Sequence, residues 1–280
     1  MSASRTFLLT TLAMIAFASN SLLCRVALKD TAIDAATFTA VRIASGAAAL
    51  WIIVRLRTSQ APGGSWWSAF WLFAYAAAFS FAYLALTAGT GALLLFGAVQ
   101  ATMIGQGLRR GERLGVIQSA GLAVAFAGLA ALVAPGVTAP PLTSALLMLA
   151  AGFSWGVYSL RGRGAGDPTA VTAGNFLRAV PMALAVALAM LPWASIDGRG
   201  IAYAVASGAI ASGMGYAIWY TALRGLKATT AASVQLSVPA IAAMGGVLFL
   251  GEALTLRLVL ASVAILGGVA MAIRRPPSAA

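Results

Sequence analysis

The chain has 280 residues, of which 61% are hydrophobic and only 9% charged, where a soluble globular domain carries roughly 25% charged residues. That balance excludes an ordinary water-soluble fold and makes a lipid bilayer the solvent. The net charge of +12 sits in small basic groups between apolar runs, the pattern of membrane topology and not of a nucleic-acid-binding stripe.

A helix needs about 20 apolar residues to cross the hydrocarbon core. In chain order, ten segments qualify: 6–26, 35–54, 67–87, 90–108, 114–134, 141–160, 168–191, 200–220, 228–250 and 255–273. The first could pass for a signal peptide, since Arg5 precedes an apolar run. It is long enough to span, however, and equally apolar segments follow it. The breaks TAGT (87–90) and GEALT (251–255) are short enough to be hairpin turns, as their glycine and threonine suggest. With the N-terminus inside, Arg5, Arg55, Arg57, Arg109, Arg110, Arg113, Arg161, Arg163, Arg224, Lys227, Arg274 and Arg275 fall on the cytoplasmic side. Only Arg25, Lys29, Arg199 and Arg257 fall outside. This asymmetry places both termini in the cytoplasm.

Halving the chain near residue 137 puts five segments on each side, and landmarks recur in order at offsets of 136 to 140. Arg42 is echoed by Arg178, Tyr83-Leu84-Ala85-Leu86 by Tyr220-Thr221-Ala222-Leu223, and Gly111-Glu112 by Gly251-Glu252. Five is an odd number of crossings, so the second copy enters from the opposite side, as in inverted-repeat transporters. The expected fold is an all-α polytopic membrane protein. Its ten transmembrane helices form two inverted five-helix repeats, 1–136 and 137–280.

Catalysis and metal chemistry are poorly served. There is no histidine, Cys24 is the sole cysteine, and the six carboxylates all fall in loops or at segment ends. No enzyme activity, disulfide, cofactor or metal is expected. The same absence at mid-depth removes the usual proton carrier of an antiporter, so transport down the substrate's own gradient is expected. Glu112 and Glu252 read as caps opening a helix. Arg42 and Arg178, the charges inside spans, must face the protein interior, a cavity or an interface; a structural or gating role, paired with backbone carbonyls or a terminal carboxylate, is expected ahead of binding a substrate carboxylate.

The uncharged residues carry more of the functional signal. Trp71, Tyr75, Phe79, Tyr83 and Thr87 recur every four positions and predict an aromatic wall on segment 3. Segment 6 adds Trp155 and Tyr158, and segment 8 adds Tyr216 and Trp219. Asn20, Gln100, Asn175, Gln235 and Ser237 are polar groups in apolar surroundings and each demands a partner. Pro239 cannot bond to, and clashes with, the carbonyl of Gln235, which predicts a kink beside Gln235 and Ser237; Pro181 is a second kink position.

The Y-x-A-L pattern, AASVQLSVP (231–239) and FLGE (249–252) resemble the second half of the drug/metabolite transporter superfamily, and the whole chain is similar to its ten-helix EamA-type exporters. Within these it resembles the aromatic amino acid exporters, which also export methyl viologen. Thr102 stands where the second half has Pro239, and RRGE (109–112) replaces FLGE, so the two halves depart from symmetry there. The resemblance implies a monomeric exporter in a bacterial inner membrane, embedded in the lipid bilayer, with a central cavity. Its substrate is expected to be a small molecule: an aromatic amino acid or methyl viologen, otherwise a small thiol or hydroxyl amino acid or a drug. A non-transporting scaffold or sensor is the reading from another class. Asn20, Phe79, Tyr83, Gln100, Trp155, Tyr158, Tyr216, Trp219, Gln235 and Ser237 are the candidate binding residues.

Overall fold

The computed structural model describes residues 2–57, 62–111, 114–162, 167–226 and 228–273. Glu112, one of the expected charges, lies outside them. All regular elements among the described residues are helical: α1 (Ala3–Asp30), α2 (Ala35–Arg57), α3 (Trp66–Ala82), α4 (Ala88–Arg109), α5 (Val116–Val133), α6 (Leu142–Arg161) and α7 (Pro168–Ala189) come first. After a short 3₁₀ turn follow α8 (Gly198–Val205), a π-helical stretch (Ala206–Met214), α9 (Gly215–Leu223), α10 (Ala228–Gln235), α11 (Ser237–Leu250) and α12 (Leu256–Ala272). Eight helical stretches are long and apolar enough to cross a membrane, and Leu256–Ala272 is a shorter apolar helix. Large apolar side chains such as Phe7, Leu56, Val116, Leu248, Phe249 and Val263 stand exposed on the outside, a surface that only lipid covers favourably. The protein is an all-helical polytopic membrane protein.

Local chemistry sets the helix starts. Side-chain oxygens of Ser65, Thr87, Asp167, Asp197 and Thr255 accept the first free backbone N–H groups of α3, α4, α7, α8 and α12. Such caps satisfy donors that hydrocarbon cannot. Gly251 ends α11 in the left-handed region at φ 62°, where a side chain would be strained.

Three elements depart from the sequence reading. First, α3 stops at Ala82, not 87, because the next helix is capped by Thr87 and the chain must turn before it. Thr87 therefore leaves the expected aromatic face, while Tyr83 keeps its ring against Phe79 at 4.7 Å. Second, the eighth segment widens into π-helix between Ala206 and Met214. Third, the ninth breaks at Leu236, where the Leu236 N–H bonds to the Ser233 carbonyl; Pro239, which has no N–H to give the Gln235 carbonyl, falls in the first turn of the helix that follows.

The main packing partners are α5 with α12, α2 with α7, α4 with α11, α3 and α4 with α6, α1 with α9 and α11, α3 with α7, and α2 with the π-helical stretch. Small residues make these approaches close. Gly152 on α6 faces the Leu95 carbonyl and the Ala98 methyl of α4, Gly128 on α5 faces Ala264 of α12, and Gly208 in the π-helical stretch lies on the Arg42 carbonyl. A Cβ at 152 would sit 2.7 Å from the Ala98 Cβ. Gly152→Val is therefore expected to part α4 from α6 and destabilise the fold by about 1–3 kcal/mol, read as a lower melting temperature of the purified protein. An unchanged melt would show that this contact is slack.

Candidate functional site

A cavity of about 520 Å³ opens among α1, α4, α6, α7, α9 and α10. Its lining is ring-rich and uncharged: Phe17, Trp155, Tyr158, Tyr216, Trp219 and Tyr220 supply the rings, and Gln100, Thr172, Asn175 and Gln235 the neutral polar groups. Gly162, Pro168 and Leu223 form its rim, at the end where Arg161 and Arg224 sit. A smaller space of about 20 Å³ adjoins it and shares Phe17, Trp155, Tyr216 and Gln235. It reaches on to Asn20, Tyr75 and Phe79 and holds little more than one water molecule.

The rings form a connected series. Trp155 stacks on Tyr216 at 5.3 Å and 18°, and also touches Tyr158 and Tyr75. Tyr75 leads to Phe79 and Phe79 to Tyr83, while Phe17 sets its ring against Tyr216 and Trp219. Polar contacts run along one wall: Asn175 Nδ2 donates to the Tyr158 hydroxyl at 3.4 Å, Tyr158 to Thr172 Oγ1 at 3.5 Å, and Thr172 to the Tyr220 hydroxyl at 3.1 Å. These bonds are long and therefore weak, which suits groups that exchange partners with a ligand. Asn175 Oδ1 is anchored by the Ser65 N–H at 2.9 Å.

Of the sequence-derived candidates, Gln100, Trp155, Tyr158, Tyr216, Trp219 and Gln235 line the main cavity, and Asn20 and Phe79 the small space. Asn20 is committed: its Oδ1 accepts from Ser207 at 2.9 Å and Ser212 at 3.2 Å, tying α1 to the π-helical stretch. Tyr83 and Ser237 stand away from both spaces. Tyr83 is fully buried and donates to the Ala88 carbonyl at 3.2 Å, and the exposed Ser237 donates back to Val234 at 2.6 Å. Pro239 is buried in α11 and Pro181 lies inside α7. Phe17 and Thr172, absent from the candidate set, precede Asn20 and Asn175 by three residues. That spacing puts each pair on one helix face and was the available signal.

The charges have distinct tasks. Arg178 Nη1 donates to the carbonyls of Gly63 and Gly174 at 2.7 and 2.9 Å, holding the α2–α3 loop on α7. Glu252 does not cap its own helix, which Thr255 does. Its Oε2 instead accepts from the Ala88 N–H at the start of α4 at 2.8 Å, and its Oε1 pairs with Arg25 at 3.3 Å. Arg25 also donates to the carbonyls of Tyr83 and Leu84. Arg42, 2% exposed, has Nη2 donating to the Tyr75 hydroxyl at 2.9 Å and its guanidinium carbon 4.7 Å from the centre of the Phe79 ring.

The end opposite the cavity mouth is stitched shut. Besides the Arg25–Glu252 pair, Asp34 exchanges bonds with the backbone of Ser195, and Asp197 accepts from the Ala32 N–H at 2.6 Å. Partial burial pushes Asp34 up, but bonds from the Thr37 side chain and the Thr37, Ser195 and Ala36 N–H groups outweigh it and leave its pKa below 3.8. The Gly200 N–H, with help from Ala32 and others, lowers Asp197 from the same starting value despite some desolvation.

Residues 142–274 match the EamA-like transporter family. That likeness covers the second half of the chain. A Pseudomonas aeruginosa protein of uncharacterized function is 59% identical over 95% of this chain and 94% of its own length, so the two chains belong to one family. The threonine/homoserine exporters RhtA of Salmonella typhimurium and Escherichia coli are 38% and 36% identical, over 49% and 41% of this chain. The chain spans about half or less of their length, 48% and 39%. A solved crystal structure, 22% identical, superposes with a TM-score of 0.68 over 97% of both chains, which shows the shared fold.

Because both carboxylates at this end have lowered pKa values, the stability they add is fully present above the unfolded value of about 3.8 and fades as pH falls through their depressed values. Melting temperature is expected to fall as pH is lowered from about 4.5 to about 2, and less so in an Asp34→Asn, Asp197→Asn double variant. Equal slopes would remove these clasps from the acid response.

Proposed function

We propose that the protein exports small neutral amino acids across a bacterial inner membrane by alternating access, as a monomer. The observation that carries this reading is the cavity: ring-walled, uncharged, lined by neutral hydrogen-bonding groups, open at one end of the bundle and stitched at the other. Threonine and homoserine are the first candidates, on the strength of the RhtA relatives' names and of the Thr172–Tyr158–Tyr220 hydroxyls, which match a hydroxyl side chain. Aromatic amino acids are the second reading, favoured by the Tyr158–Trp155–Tyr216 rings, against which a flat side chain or an ammonium group would lie well; methyl viologen belongs with this second reading.

Two inverted repeats, 1–136 and 137–280, supply the mechanism. Their support is the exchange of packing partners: α3 on α6 is answered by α9 on α1, α4 on α6 by α11 on α1, and α3 on α7 by the π-helical stretch on α2, while α2–α7, α4–α11 and α5–α12 pair across the halves. Such a bundle rocks about a fixed central site. With both termini in the cytoplasm, the stitched end is external and the cavity faces inward. The substrate's own gradient drives the cycle, since the ring-walled cavity offers no carboxylate to carry a proton.

Counterflow in proteoliposomes tests this. Threonine or homoserine inside is expected to stimulate uptake of labelled threonine, and Trp155→Ala to raise the half-saturation concentration roughly tenfold, about 1.4 kcal/mol. Stimulation by phenylalanine alone would select the second reading, and no counterflow with any amino acid would sink the reading altogether.

A further inference from the structure

The cavity's neutral walls leave one question of recognition open: what would hold the carboxylate of an amino acid? The buried Arg42 has an unmet demand. Its Nη1 is enclosed without a hydrogen-bond partner, while Nη2 meets only the neutral hydroxyl of Tyr75. The ion pair found among the described residues joins Arg25 and Glu252, and no carboxylate reaches Arg42. The titratable side chains around it are Tyr75, Tyr216 and Cys24. The rings of Phe79 and Tyr75, at 4.7 and 5.4 Å, offset part of the buried charge but satisfy none of its N–H donors. A guanidinium is built to hold a carboxylate through two parallel bonds, and this one is left with donors free.

Its place fits that use. Tyr75 and Phe79, which touch the guanidinium, also line the small space beside the main cavity. The stacked rings of Trp155 and Tyr216, with Phe17 and Gln235, border both spaces, so these four side chains lie between the cavity and the residues around Arg42. On the far side of Arg42, Gly208 of the π-helical stretch packs on its backbone carbonyl, and π-turns recur at functional sites.

We propose that Arg42 is the carboxylate anchor of the transport cycle. The substrate's carboxylate reaches its free donors once the Trp155–Tyr216 stack parts and the small space, now no larger than a water molecule or so, widens. Arg42 then selects carboxylate-bearing solutes over their neutral-ended analogues, while the cavity walls read the side chain. This rests on an amino acid being the cargo.

The test compares L-threonine with L-threoninamide, in counterflow with vesicles clamped at zero potential and in thermal-shift titrations of the purified protein. Wild type is expected to take the acid with at least tenfold lower half-saturation than the amide. Arg42→Gln should abolish that preference and Arg42→Lys should keep part of it. Equal handling of acid and amide by wild type would overturn the proposal without any variant, so a misfolded Arg42→Gln does not leave the matter open. An Arg42→Gln protein that keeps the wild-type preference would overturn it as well, with the exporter reading intact. Wild type that moves no amino acid at all would refute the exporter reading itself.

Discussion

Hydrocarbon offers no hydrogen bonds, so every polar group in this bundle must find its partner inside the protein. Most solve this locally. The hydroxyls of Thr10, Thr39, Ser80, Thr102 and Thr221 donate to carbonyls four residues back on their own helices, at no cost in side-chain reach. Others solve it across the bundle: Asn20 joins α1 to the π-helical stretch, Arg178 holds a loop, and Arg25 with Glu252 ties α1, α4 and the turn before α12 together. Against this background an unsatisfied group stands out. Two buried side-chain nitrogens lack partners among the described residues, Trp71 Nε1 and Arg42 Nη1. One belongs to a neutral indole and the other to a full charge, whose burial without a counter-ion is far more costly.

The same constraint locates motion. Helices that must keep all their backbone bonds cannot bend freely, so movement concentrates where the ladder is already irregular. Two such places border the cavity walls: the π-helical turn from Ala206 to Met214 and the break at Leu236 between α10 and α11. Tyr216 and Gln235, on the flanks of these irregularities, line both the cavity and the small space beyond it. In the proposed cycle, rotating either helix end would reshape the small space beside the rings that touch Arg42. The stitched end, by contrast, holds by carboxylate and arginine bonds to backbone.

How far the sequence revealed this depends on whether a feature is written locally. Hydropathy places most helix ends within a few residues, because lipid demands continuous apolar runs, although eight stretches and one shorter helix, not ten, are apolar enough to count as spans among the described residues. The three- and four-residue spacing of Trp155 with Tyr158 and Tyr216 with Trp219 or Tyr220 put these rings on shared faces before any tertiary information. Pro239 announced the break beside Gln235, though the break falls at Leu236 and leaves Ser237 outside. Long-range pairings were not legible. The four-residue aromatic rhythm extends to Tyr83, whose ring meets Phe79, yet Thr87 caps the next helix and the turn before it buries Tyr83 away from the cavity. Glu252 stood where a carboxylate caps its own helix, and its true partners, Ala88 and Arg25, lie far away in the chain. The π-helix left only a run of small residues as its trace.

Everything rests on a cavity that water reaches from one side of the membrane at a time. Because Cys24 is the sole cysteine, a Cys24→Ser protein carrying one new thiol at Thr172 reports on this directly through a membrane-impermeant maleimide. The account predicts rapid labelling in inside-out vesicles, slow labelling in right-side-out ones, and a shift between the two when a transported amino acid is added. Equal labelling from both faces, or labelling from the outside alone with no response to amino acids, would contradict it.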